Sequence, residues 1–147
     1  MGAASIEIFD GEKRIIFSGD IGNPHQKLLQ SAETLSPSDI VVMESTYGDR
    51  LHPQENAIEQ LAAEIIAVEK SGGVLLLPAF ALDRTQVLLY LLKQLKQSGK
   101  IKKDTPVFLD SPLAQKITRV FNTYTADFDE EFWKDFGEKG DKAFLFD

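Results

Sequence analysis

Side chains that could do chemistry recur in this sequence in one arrangement. Each group follows directly on a short apolar run and stands beside glycine or proline. Ser18-Gly19-Asp20 follows Ile15-Ile16-Phe17, and Glu44-Ser45-Thr46-Tyr47-Gly48 follows Ile40-Val41-Val42-Met43. Pro78-Ala79-Phe80-Ala81, then Asp83-Arg84-Thr85-Gln86, follows Val74-Leu75-Leu76-Leu77, and Asp110-Ser111-Pro112 follows Val107-Phe108-Leu109. Asp20 is a hard oxygen donor of the kind a metal ion takes; an aspartate beside glycine is also a common turn residue. Glu44 closes a wholly apolar run and is expected to be partly desolvated, with its pKa raised unless a cationic or protonated group pairs with it. It could act as a general acid, orient one, or bond loop amides. Arg84, at a helix start, could meet a phosphate together with the free helix-end amides, or pair with Asp83. Ser111 could donate to a phosphate or cap the following helix. The two histidines, His25 and His52, lie far apart in loops and read as surface residues; neither His-x-His-x-Asp-His nor His-Glu-x-x-His is present.

Positioning these groups falls to elements that the patterning predicts. Residues 6–9 and 14–18 read as a hairpin about Asp10-Gly11, and the polar stretch 21–38, with Pro24 and Pro37, reads as a loop with room for a short helix. The continuous apolar run 40–43 predicts a strand buried on both faces, and 74–77 and 106–109 predict two more. Ile58, Leu61, Ile65 and Val68 recur at helical spacing between Pro53 and Lys70, with Gly72-Gly73 beyond. Leu88, Leu91, Leu92 and Leu95 stripe a helix from Arg84 to about Ser98, with Asp83 as its N-cap. A helix is expected from Pro112 to about Tyr124, a short one over Asp129–Asp135, and the start of a strand over Ala143–Phe146. The order after residue 39 is β-α-β-α-β-α, an α/β pattern that predicts a parallel, Rossmann-like sheet flanked by helices. Such sheets bind ligands beyond the carboxyl ends of their strands, where the polar groups above fall.

The 147 residues, 43% hydrophobic, are enough for a packed core. The absence of cysteine excludes disulfides, thiolate nucleophiles and Cys-type zinc sites, and fits a cytoplasmic location. No apolar run reaches membrane-span length, and Met1–Asp10 does not read as a signal peptide. The net charge of −7 argues against a phosphate-dominated binder, but its distribution is uneven. Lys93, Lys96, Lys100, Lys102 and Lys103 fall within eleven residues, whereas Asp127–Asp147 holds eight acids against three lysines. Both clusters serve equally as solvated surface.

Taken in order, Gly2-Ala3-Ala4-Ser5, Phe17-Ser18-Gly19-Asp20-Ile21-Gly22, Met43-Glu44-Ser45-Thr46-Tyr47-Gly48-Asp49, Pro78-Ala79-Phe80-Ala81 with Arg84-Thr85-Gln86, and Leu109-Asp110-Ser111-Pro112-Leu113-Ala114 resemble the β-CASP branch of the metallo-β-lactamase superfamily. The likeness spans residues 2 to about 121. It implies a fold in two parts: 1–48 as the C-terminal portion of a metallo-β-lactamase-type αββα sandwich, and 49–147 as a partial β-CASP domain. It implies hydrolysis of RNA phosphodiesters with two zinc ions in the full-length parent, which hold the attacking hydroxide and stabilise the charged transition state. Asp20 matches the aspartate that bridges the two metals. Glu44 matches the acid of the first β-CASP motif, which steadies a histidine near the leaving group. Ser45, Thr46 and Tyr47 match the crossing between the two domains, and with Arg84 and Ser111 they are the expected substrate contacts.

The chain departs from the family pattern in two ways. The family's histidine ligands belong upstream of Gly2 and beyond Asp147, so the chain is expected to be either a piece of a longer enzyme or a natural truncated product, and in both cases to bind no zinc alone and to be inactive alone. Leu82-Asp83 stands where many relatives carry a small residue and then glycine. Exposed sheet edges make self-association the expected relief. A non-catalytic RNA- or protein-binding module on the same fold is the alternative, and single-stranded DNA is not separated from RNA as the substrate. A nucleotide-binding Rossmann domain is disfavoured because both glycine-rich phosphate motifs are absent.

Overall fold

A computed structural model describes residues 2–22, 28–51, 56–124, 126, 128, 132 and 134. Strand β1 (Ile6–Phe9) and strand β2 (Arg14–Phe17) form the expected hairpin, antiparallel with Ile6 opposite Phe17 and Phe9 opposite Arg14. Its turn is closed by the Asp10 carboxylate, which accepts from the Glu12 and Lys13 amides at 2.9 and 2.8 Å, while Gly11 takes φ 106°. These amides hold the Asp10 carboxyl below the usual carboxylate range, the Lys13 amide most strongly. Strand β3 (Ile40–Val42) runs parallel to β2, with Ile16 opposite Val41. The order is β1-β2-β3, so only β2 is flanked on both sides, and Ile16 is the buried residue of the sheet.

The helices close the rest. Helix α1 (Ala57–Ser71) is capped by Asn56, whose side chain accepts from the Ile58 amide, and it stops at Gly72 in the left-handed conformation. Helix α2 (Arg84–Gln97) lies at the centre. Leu89, Tyr90 and Leu91 pack with Leu28, Leu29, Phe121, Phe128 and Phe132, while Leu92 and Leu95 pack with Ala62, Ile65 and Ile101. Helix α3 (Pro112–Thr123) starts at Ser111, whose hydroxyl accepts from the Ala114 amide at 3.2 Å. The capping reading of Ser111 is therefore met. Among the described residues no helix is long and apolar enough to cross a membrane.

Three expectations are corrected. Strand β3 is exposed along its length rather than buried on both faces, because it is an edge with no layer packed over it among the described residues. Residues 74–77 and 106–109 form no strand ladder among the described residues. Their alternate side chains, Leu75, Val107 and Leu109, do pack onto the helices, but Val74, Leu76 and Phe108 face outward, and the two segments border a largely apolar groove of about 840 Å³. An apolar run shows that a segment can be buried; it does not supply the neighbour that would make it a strand. The loop 21–38 also carries more of the core than its polarity suggests: Leu28 and Leu29 are buried, and Leu29 bridges to Phe128. Pro24, His25, His52 and Pro53, most of Asp129–Asp135, and Ala143–Phe146 lie outside the described residues.

Candidate functional site

Strand β2 delivers Asp20 to the end of the sheet, and the turn that carries it is fastened from two sides. On one side, the Ser5 hydroxyl donates to the Ser18 carbonyl at 2.7 Å. Gly19 then packs against Ala4 so closely that an added Cβ would stand 2.4 Å from the Ala4 carbonyl oxygen, and its φ of 58° is one that glycine adopts without cost. On the other side stands the loop after β3. The buried Ser18 hydroxyl donates to the Gly19 carbonyl at 2.7 Å and accepts from the Glu44 amide at 3.1 Å. The Glu44 carboxylate accepts from the Ile21 amide at 2.5 Å and from the Thr46 hydroxyl at 2.8 Å. Parallel pairing of β2 with β3 places these two loops side by side, and the Ser18 amide extends the ladder to the Val42 carbonyl at 2.9 Å.

The chemistry of Glu44 follows from these bonds. The Thr46 hydroxyl, then the Ile21 amide, lowers its pKa from the ordinary glutamate value, against a smaller opposing effect of desolvation. A protonated partner is thus present, and Glu44 is an ionised carboxylate at neutral pH. It is suited to hold a neighbouring group and unsuited to donate a proton as a general acid. Asp20 remains exposed on the turn. Ser45 and Tyr47 are exposed in the turn after Glu44, which closes through a Gly48 amide to Ser45 carbonyl bond of 3.0 Å, and Arg50 stacks over the Tyr47 ring at 6.0 Å.

Arg84 and Ser111 stand elsewhere, at the first turns of α2 and α3, and among the described residues no hydrogen bond or ion pair joins either to Asp20 or Glu44. The loop before Arg84 is unusual. Asp83 has φ 64° and ψ −67°, and the Arg84 amide donates to the Leu82 carbonyl at 2.9 Å, making a γ-turn with a positive central φ. Its side chain does not cap α2, which corrects the N-cap expectation. One carboxylate oxygen is buried without a partner, and desolvation raises the pKa more than Arg84 lowers it. Behind the turn, Thr85 donates to the Phe80 carbonyl at 2.7 Å, and the wholly buried Gln86 donates to the Ala81 carbonyl at 3.1 Å and to the Thr118 hydroxyl at 2.9 Å.

The structure thus ties the turn that carries Asp20 to Glu44 and Thr46, and leaves Arg84 and Ser111 apart. Sequence reading passed over Ser18, Asp83 and Gln86 as parts of the site. A serine before Gly-Asp and a charged residue where the resemblance implies glycine were signals for the first two; nothing local marks Gln86. Among the described residues no three His, Cys, Asp or Glu side chains converge to hold a metal ion. The apolar groove between 74–77 and 106–109 does not include Asp20 or Glu44.

Residues 85–146 match the Beta-Casp domain. The chain is 34% identical to endoribonuclease YSH1 of Kluyveromyces lactis, over 99% of this chain and 20% of that protein. It is 35% identical to cleavage and polyadenylation specificity factor subunit 3-I of Arabidopsis thaliana, over 84% of this chain and 18% of that protein. It is 32% identical to ribonuclease TTHA0252 of Thermus thermophilus, over 84% of this chain and 28% of that protein. The chain thus spans about a fifth of the length of the first of these relatives. By the matched domain and these relatives together, the chain belongs to the β-CASP family.

Proposed function

We propose that this chain serves the hydrolysis of RNA phosphodiesters in a zinc-dependent nuclease, contributing the Asp20 carboxylate and RNA-facing loops to a site completed by other residues. The observation that carries this reading is the fastening of the Asp20 turn to Glu44 through the Ile21 amide and the Ser18 hydroxyl. A carboxylate carried on a turn whose backbone is fastened on both sides, at the end of a strand, suits a metal ligand whose place must not drift. Zinc takes three or four protein ligands, and the described residues offer one at this place, so they do not make a zinc site by themselves. When bound, two zinc ions would supply a nucleophile at neutral pH and stabilise the charged transition state.

The rest is the work of this chain's own side chains. Glu44, ionised, holds the turn after Asp20 and keeps the Thr46 hydroxyl oriented. Ser45 and Tyr47 present polar and aromatic groups beside it, and Arg84 and Ser111 face the nucleic acid further along. In this reading residues 1–48 belong to an αββα lactamase-type sandwich and 49–147 to a β-CASP domain, with Leu28 and Leu29 packed across that boundary. The names of the relatives speak for RNA over single-stranded DNA.

The test is cleavage of an end-labelled RNA, with zinc, by the product of the intact gene and by the 147-residue chain. The gene product is expected to cut, its Asp20→Asn variant to lose about a hundredfold or more, and the 147-residue chain to cut nothing. Zinc-dependent cutting by the 147 residues alone, abolished by Asp20→Ala, would refute the account of the ligands. The alternative reading is a non-catalytic RNA- or protein-binding module on the same fold. RNA binding that survives changes at both Asp20 and Glu44, with no cleavage by the gene product, would establish it.

A further inference from the structure

The segments 74–77 and 106–109 have the side-chain alternation of strands without a strand's partners. Leu75, Val107 and Leu109 pack onto the helices, while Val74, Leu76 and Phe108 are 82%, 79% and 86% exposed. From Val74 to Leu77, and at Val107 and Phe108, no backbone amide or carbonyl has a hydrogen-bond partner among the described residues. Both segments border the groove of about 840 Å³, to which the helices contribute Ile65, Leu89 and Leu92. Apolar walls alone would suit many ligands. Free donors and acceptors along two extended segments select one class, an extended polypeptide that offers the same groups at the same spacing. Apolar side chains on both of its faces would meet the rest of the lining, as in a strand with a neighbour on each side.

Topology narrows the source of that strand. A groove bordered on both sides takes a strand that is free along both edges. The described strands β1, β2 and β3 are already joined in one sheet, so a second copy of this chain offers none among its described residues. The two segments alternate with helices, in the order α1, 74–77, α2, 106–109, α3. The element that continues such an alternation is a further strand, laid parallel in the same sheet by a right-handed crossover. A parent as long as the Kluyveromyces lactis relative, of which this chain matches 20%, has polypeptide for it.

We propose that the groove between 74–77 and 106–109 seats one further strand of the same polypeptide, from beyond Lys134, hydrogen-bonded to both segments. The segments run on into Pro78-Ala79 and Asp110-Ser111, which also line the groove. Ligands of parallel sheets lie beyond the carboxyl ends of the strands, so the residues that follow this strand stand between the loops of Arg84 and Ser111. That last step rests on the RNA contacts proposed above; the seating of the strand does not.

The test is made on the intact gene product, without zinc or RNA. Hydrogen exchange read by mass spectrometry is expected to find the amides of 74–77, Val107 and Phe108 about a hundredfold or more slower than free-peptide rates, at every protein concentration. Phe108 replaced by the photoreactive p-benzoylphenylalanine is expected to crosslink within one polypeptide to a residue beyond Lys134. Exchange near free-peptide rates in the unaltered gene product would overturn the proposal, whether or not the photoreactive variant folds. So would protection that is lost on dilution, or crosslinks that join two copies, either of which would make the groove an interface between copies. Crosslinks confined to residues up to Lys134 would overturn it as well. None of these readouts depends on cleavage, so this proposal and the nuclease reading fail separately.

Discussion

Replacing Asp83 by glycine should stabilise this protein, although Asp83 opens a helix where a polar side chain is ordinarily favoured. The residue has φ 64° and ψ −67° at the centre of a γ-turn, a conformation that a side chain strains. Holding such a conformation costs 1–3 kcal/mol, and about 2 kcal/mol is a fair middle value. Glycine removes that strain and loses roughly 0.7 kcal/mol to the greater freedom of the unfolded chain. No capping bond is lost at the helix end, because the Asp83 side chain makes none, and the attraction of Arg84 that is lost is smaller than the desolvation that is relieved. The net gain is about 1.3 kcal/mol, a rise of roughly 4 °C in the melting temperature or of about 0.6 M in the urea midpoint. Asp83→Ala provides the control: it removes the carboxylate but keeps the Cβ and its strain, so it should gain less than Asp83→Gly.

A pH series separates the two causes further. Desolvation raises the folded-state pKa of Asp83 above the ordinary 3.8, so the folded protein binds this proton more tightly than the unfolded chain. Stability contributed by the group is therefore fully present below 3.8 and is lost as pH rises through the folded value. The advantage of Asp83→Gly should be larger at pH 7 than at pH 3. Urea melts followed by circular dichroism read both effects. A glycine variant no more stable than the alanine variant at pH 7 would refute the strain argument.

Three other outcomes follow from the same geometry. Gly19→Ala places a Cβ against the Ala4 carbonyl at a positive φ, so it should cost about 2 kcal/mol or more in urea melts and shift the Asp20 and Ile21 amide signals. The bond from the Ile21 amide to Glu44 is present at neutral pH and should be lost as pH falls through the lowered Glu44 pKa, below the ordinary 4.5; Glu44→Gln should abolish that titration in the Ile21 amide shift. Gln86→Ala removes both buried bonds to the Ala81 carbonyl and the Thr118 hydroxyl, and should cost about 2 kcal/mol in the same melts.

Legibility in the sequence divides by the distance over which each feature is decided. The hairpin was readable because Asp10-Gly11 closes its own turn with amides two and three residues away. The three helices were readable because periodicity, Ser111 and Gly72 act within a turn of the helix end. The strands at 74–77 and 106–109 were misread because a ladder needs a neighbour that no local pattern names. Burial of Leu28 and Leu29 escaped for the same reason, since their partners are Tyr90, Phe121 and Phe128, far along the chain.

The site divides likewise. Asp20 and Glu44 stood out as carboxylates at strand ends, but the Ser18 hydroxyl that ties the two loops together became visible only when β2 and β3 were paired. Asp83 belongs to both groups. Its place was marked by the resemblance, which implies glycine there, and its positive φ is one that glycine adopts without strain. A side chain at such a place is tolerated only where the surroundings fix the turn, as the Thr85 and Gln86 bonds do here. It follows that Asp83→Gly should relieve the strain while leaving the backbone at Phe80 and Ala81 where it is, because the bonds that hold the Phe80 and Ala81 carbonyls come from Thr85 and Gln86 and not from Asp83.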